Sequence, residues 1–163
     1  MTTPRVLIVE DDENKGVQFS QFLRDRFDPI EITIERSLQS GLRRIRREHP
    51  DLVLLDMTLP NYEPGPDETG GTTHIFGGRE FLRQMDRFDI DVPVIVVTQF
   101  ETFGKPPNMM GLRELDDQLR TDHATVYRGA VYYHASLHAW KDELSTLVST
   151  ATGQRAKDGG END

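Results

Sequence analysis

Apolar and polar positions follow two rhythms along this chain. The runs Val6-Leu7-Ile8-Val9 and Leu52-Val53-Leu54-Leu55 are unbroken, the pattern of strands covered on both faces. Between them Phe19, Phe22, Leu23 and Phe27 recur at helical spacing and predict a helix over 14–27 that Pro29 closes. Residues 30–35 alternate as a half-buried strand. The stretch 38–48 predicts a second helix with Leu38, Leu42 and Ile45 on one stripe, and a third strand over 52–56 ends in Asp56.

From Pro60 to Gly78 the periodicity disappears into Pro, Gly, Thr and Asp, a connection longer than the usual few residues. A helix resumes over 79–87 with Phe81, Leu82, Met85 and Phe88 turned inward, and 92–97 read as a strand leading to Thr98. A second interruption begins at Gln99, contains Gly104-Lys105-Pro106-Pro107, and carries a helix near 110–121 with the stripe Leu112, Leu115, Leu119. Residues 130–134 predict a fifth strand. Ser136 then caps a last helix with Leu137, Trp140, Leu144 and Leu147 inward, before a polar tail over 153–163 expected to be disordered. Strands alternating with helices imply an α/β fold, because each parallel return needs a crossover. The expectation is one domain over 1–152: a five-stranded parallel sheet with helices on both faces and long insertions after strands 3 and 4.

In such sheets ligands sit outside the carboxyl ends of the strands. Glu10, Asp11, Asp56 and Thr98 all fall at those ends. Two carboxylates about 4 Å apart repel by roughly 4 kcal/mol at an effective dielectric near 20, so three together call for a proton or a cation. A hard divalent ion with oxygen ligands answers that need. The net charge of -9 argues against nucleic-acid phosphate as the main partner, and Arg43, Arg44, Arg46 and Arg47 read as the solvated face of the second helix. The chain has no cysteine, which removes thiolate metal sites and thiol catalysis. With neither an 18-residue apolar run nor a charged-then-apolar leader, no membrane association is expected and a cytoplasmic location is. His134 and His138 are four apart but fall in a strand and at a helix start, so they do not form a zinc pair.

The segments VLIVEDD at 6–12, PDLVLLDMTLP at 50–60, GGREFLRQM at 77–85 and VPVIVVT at 92–98 resemble the receiver domain of two-component response regulators. The resemblance implies a flavodoxin-like fold with strand order 2-1-3-4-5 and Asp56 as phosphoacceptor in phosphorelay signalling. It also implies a magnesium ion (Mg2+) held by Glu10, Asp11, Asp56 and the backbone carbonyl of Thr58, with Thr98 and Tyr133 as switch residues. On phosphorylation Thr98 would move toward the phosphoryl group and vacate space for Tyr133. The implied partners are a histidine kinase or phosphotransfer protein as donor and an unknown protein target, with no direct nucleic-acid binding.

Three departures stand beside it. Ser136 occupies the position of the family's lysine and Leu137 that of the following proline, while Gln99 stands where a very small residue is usual. Lys105, in the second insertion, is one cation that could fold back over the site. The insertions, 61–77 and 99–128, flank the same edge and are expected to form a lid or partner surface in place of the usual fourth helix. Two functions follow. One is a stand-alone phosphorylation-responsive receiver, since no sequence remains for an output domain; the other is a pseudo-receiver, an interaction module independent of phosphorylation. A phosphatase using Asp56 is disfavoured, because Thr58 stands where such enzymes carry a second aspartate.

Overall fold

The computed structural model describes residues 3–62, 73–74, 77–104, 107, 109–134, 136 and 138–157. Counting the strands of the main sheet, β1 (Arg5–Val9), β2 (Glu31–Glu35), β3 (Leu52–Leu55), β4 (Val94–Thr98) and β5 (Tyr127–Tyr132) lie in the order β2-β1-β3-β4-β5. All pairings are parallel, as the sequence pattern and the resemblance require. The helices are α1 (Glu13–Arg26), α2 (Leu38–Glu48), α3 (Gly77–Arg87), α4 (Leu112–Asp122) and α5 (Ala139–Thr152).

The helices cover two faces. Val9, Leu55 and Val96 meet Phe81, Leu82 and Leu115 on the α2–α4 side, while Ile8, Leu54 and Val97 meet Phe19, Trp140 and Leu144 on the α1/α5 side. Every residue of β3 and β4 is buried, which is why those strands are continuous apolar runs. Two caps fix where helices leave the site edge. Asp12 accepts the backbone N–H groups of Asn14 and Lys15 at the start of α1, and Ser37 and Ser40 form a capping box on α2.

Five expectations need correction. The fifth strand starts at Tyr127, not at 130, and ends before Tyr133. Its pairing jumps from Val94↔Tyr127 to Ile95↔Gly129, a bulge at Arg128 with Gly129 at φ 148. Ser136 does not cap α5, which begins only at Ala139 after His138; its hydroxyl instead lies 2.8 Å from His134 Nδ1. Phe88 is exposed rather than inward, since α3 stops at Arg87 and the ring is covered by the Arg46 guanidinium 4.0 Å away. The second insertion does not replace the fourth helix. It supplies one: a short ribbon, Thr102–Phe103 with Met110–Gly111, leads into α4, which buries Leu115 and Leu119. The tail is not wholly free, because the Lys157 N–H donates to Arg26 O at 2.9 Å and Ala156 packs on the α1/α5 core.

After β3 the chain pairs Leu59–Pro60 with Thr73–His74, and Asn61 is tied to the start of α2 through Gln39. Most of the first insertion lies outside the described residues, as do Lys105, Leu137 and the last residues of the tail. No helix among the described residues is long and apolar enough to cross a membrane.

Candidate functional site

Strand pairing brings the acids together. Val9 and Leu55 are register partners, so the next residues, Glu10 and Asp56, leave adjacent strands side by side, with the Asp56 N–H donating to Val9 O at 3.0 Å. Glu10 and Asp56 are 1% and 3% exposed, whereas Asp11 is exposed. One oxygen from each of the three carboxylates lies within 4.8 Å of the others.

A cation that the sequence reading did not single out completes the pocket. Lys15, in the first turn of α1, has a side chain 5% exposed and sets its Nζ 3.2 Å from Glu10 Oε1 and 3.8 Å from Asp56 Oδ2. The remaining oxygens have separate donors. Glu10 Oε2 accepts the Asp12 N–H at 3.1 Å and Asp56 Oδ1 accepts the Thr58 N–H at 3.4 Å. Glu10 Oε1 is buried with no hydrogen bond of good geometry, its distance to Lys15 notwithstanding. A signal for Lys15 existed in the sequence: a cation in a helix's first turn opposes the macrodipole and needs a reason outside the helix.

The electrostatics follow from burial. Desolvation, reinforced by the Asp56 charge and eased by Lys15, pushes the Glu10 carboxyl up to about 9. Desolvation likewise raises Asp56 to about 6, against the pull of Lys15. Burial works against the Lys15 ammonium, but Asp56 and Glu10 outweigh it and hold its pKa above the ordinary lysine value. Near neutral pH the trio of Glu10, Asp56 and Lys15 therefore holds one ammonium, one carboxylate and one shared proton. A divalent ion is what would displace that proton, and a set of three converging carboxylates, all oxygen donors, fits a hard cation.

The glycines opening α3 bring the helix against this backbone. A Cβ on Gly78 would stand 2.8 Å from Asp56 O and 2.9 Å from Met57 Cα, and the Gly78 N–H donates to Met57 O at 2.9 Å. Only glycine lets the helix end press on the turn that carries Asp56.

Thr98, fully buried at the end of β4, accepts the Phe100 N–H on Oγ1 at 3.1 Å. Its register partner is Tyr132. Val96 and Ala130, one pleat back, lie on the α2–α4 side, so Thr98 and Tyr132 face that way too. Tyr133 lies on the other face, its ring edge-on to Phe19 at 5.1 Å and to Trp140 at 5.0 Å. The Thr98 and Tyr133 side chains therefore stand on opposite faces of the sheet, and the aromatic in register with Thr98 is Tyr132. Ser136 and Gln99 are exposed.

Comparison with known proteins agrees with this geometry. The family model described as "Response regulator receiver domain" matches residues 6–112, and the chain belongs to that family. The match stops before β5 and so before Ser136 and Leu137, while Gln99 lies inside it. The protein y4jR of Sinorhizobium fredii is 38% identical over 143 residues, covering 86% of this chain and 93% of that one. Detocs response regulatory protein DtcB of Enterobacter cloacae is 27% identical over 147 residues, 89% and 98% of the two chains. A crystal structure of a response regulator receiver domain protein from Clostridium thermocellum shares the fold with a TM-score of 0.60 at 17% identity, covering 92% of this chain and 94% of that one. The chain is thus a receiver of two-component signalling, a class of signalling switches.

Proposed function

We propose that Asp56 is phosphorylated in a magnesium-dependent reaction and that the phosphorylated domain switches its binding to a partner protein in the cytoplasm. The observation that carries this is the convergence of the Glu10, Asp11 and Asp56 carboxylates to within 4.8 Å of one another, with Glu10 and Asp56 buried. Glu10, Asp11 and Asp56, with the Thr58 carbonyl, would hold the ion. Bound there, magnesium masks negative charge on both the carboxylates and the incoming phosphoryl group.

In the transfer, an electron pair of Asp56 Oδ2 forms the new O–P bond while the donor's bond to phosphorus breaks and its electron pair leaves with the donor. The donor is the phosphohistidine of a kinase or phosphotransfer protein. The Thr58 N–H holds Oδ1 and so orients the attacking oxygen. The product adds about -1.5 to -2 of charge at the edge of β3. Thr98, whose hydroxyl proton is not engaged by the Phe100 N–H it accepts, donates that proton to a phosphoryl oxygen and lets go of Phe100. Release of Phe100 passes the change to the segment leading into α4 and to Tyr132. Couplings of this kind are typically 1 to 3 kcal/mol, a change of about 5 to 150-fold in partner affinity.

The second reading, an interaction module independent of phosphorylation, draws on one observation: Ser136 is turned to His134 and brings no charge to the pocket. Incubation with magnesium and acetyl phosphate, followed by intact mass, separates the two. A phosphoryl-sized gain in mass that Asp56→Asn abolishes supports the switch. Absence of any gain, together with no response to fluoroberyllate, favours the constitutive module.

A further inference from the structure

We infer that Lys15 is the phosphoryl-binding cation of this domain: its ammonium, now spanning Glu10 and Asp56, shifts onto the oxygens of a phosphoryl group carried by Asp56. The inference deepens the proposed phosphorylation and rests on it. It moves to α1 the positive charge that the β5–α5 turn lacks, where Ser136 is exposed with its hydroxyl 2.8 Å from His134 Nδ1.

Nothing in α1 itself calls for lysine at this place. Asp12 already caps the helix, a first-turn cation opposes the macrodipole, and an ammonium held at 5% exposure costs free energy unless charges compensate it. The compensation comes from Glu10 and Asp56, residues that are themselves expensive to bury. The two contacts are unequal. Nζ is 3.2 Å from Glu10 and 3.8 Å from Asp56 Oδ2, so the looser partner is the proposed phosphoacceptor. Oδ2 is also the oxygen that the Thr58 N–H does not hold, since that N–H is directed at Oδ1. A phosphoryl group formed on Oδ2 sets new anionic oxygens beside Nζ, with Glu10 still anchoring the ammonium from the other side. Lysine suits the task, being a compact charge on a stem that can follow an oxygen over a short distance.

A rival role for the same contacts is that Lys15 stands in for the metal ion, neutralising the acids until magnesium displaces it. The two roles differ in what Lys15→Met does. Calorimetric titration of the full chain with magnesium, and then with fluoroberyllate at saturating magnesium, measures the two ligands separately; wild type, Lys15→Met, Lys15→Arg and Asp56→Asn are compared. Expected for Lys15→Met is fluoroberyllate affinity at least about 30-fold weaker, the equivalent of 2 kcal/mol for truncating one partner of a buried charge pair, with magnesium affinity unchanged or tighter. Lys15→Arg, which keeps the charge, recovers part of the loss. Wild-type fluoroberyllate affinity in Lys15→Met, or an arginine variant no better than the methionine one, overturns the inference. If Lys15→Met does not melt cooperatively, Lys15→Gln takes its place under the same criteria. A wild type that binds no fluoroberyllate fails the phosphorylation reading itself, a result distinct from a wild type and a Lys15→Met that bind equally.

Discussion

Replacing Asp56 by asparagine takes one charge out of a buried pocket while leaving an oxygen for the Thr58 N–H. The Asp56 carboxyl rises from its ordinary 3.8 to about 6 in the folded protein, so the folded state binds its proton more tightly than the unfolded chain does. Stability from this group is therefore fully present below about pH 4 and is lost as pH rises to about 6; above that, the ionised carboxylate burdens the fold. At 1.36 kcal/mol per pKa unit the burden is about 3 kcal/mol, a ceiling because Lys15 loses one of its partners in the variant. The expected gain for metal-free Asp56→Asn at pH 8 is about 1 to 3 kcal/mol, or roughly 2 to 12 °C in Tm for a chain of this size. Circular-dichroism melts in chelator at pH 8 and pH 5 provide the assay, and the gap between variant and wild type should narrow at the lower pH. A variant that melts at or below wild type at pH 8, or a gap indifferent to pH, would refute the account of a crowded acidic pocket.

Glu10→Gln should raise the metal-free stability at pH 7 by about 1 to 3 kcal/mol, because a carboxyl raised from 4.5 to about 9 must take up a proton on folding at that pH and glutamine need not, yet weaken magnesium by about tenfold or more in a calorimetric titration. Gly78→Ala forces a Cβ against Asp56 O and Met57 Cα and should lower stability by about 1 to 3 kcal/mol in denaturant melts; an unchanged midpoint would mean that α3 can back away from the turn. Ser136→Ala should leave fluoroberyllate affinity at its wild-type value, since the hydroxyl is exposed and turned to His134. A marked loss would put Ser136 in the pocket after all.

What the sequence disclosed depended on how far each signal was local. β1, β3 and β4 were legible because burial on both faces writes them as apolar runs, and Glu10 and Asp56 because acids end those runs abruptly. Leu115 and Leu119 announced α4, although its place as the fourth crossover helix did not follow from their spacing. β5 was displaced because Arg128 and Gly129 interrupt its alternation at the bulge, and a slip of one residue exchanges the faces of a strand. The aromatic switch expected at Tyr133 rested on the resemblance alone; past the bulge it is Tyr132 that stands in register with Thr98, while Tyr133 packs on Trp140. Lys15 stayed hidden for a different reason. On a helix rich in charge it reads as one more solvated lysine; its first-turn position was the one local hint, and its burial is set by Glu10 and Asp56, brought together only by the pairing of β1 with β3.

The place of Lys15 also bears on how the domain is made. Glu10, Asp11, Lys15 and Asp56 all precede α3 in the chain, and β1 and β3 are neighbours in the sheet. As synthesis proceeds from the N-terminus, the pocket's acids and their counter-ion leave the ribosome within one continuous stretch. β1 and β3 can then come together with the charge between them already offset, long before β5 and α5 exist. Had the cation stood on the turn between β5 and α5, the same acids would wait through most of translation for their partner.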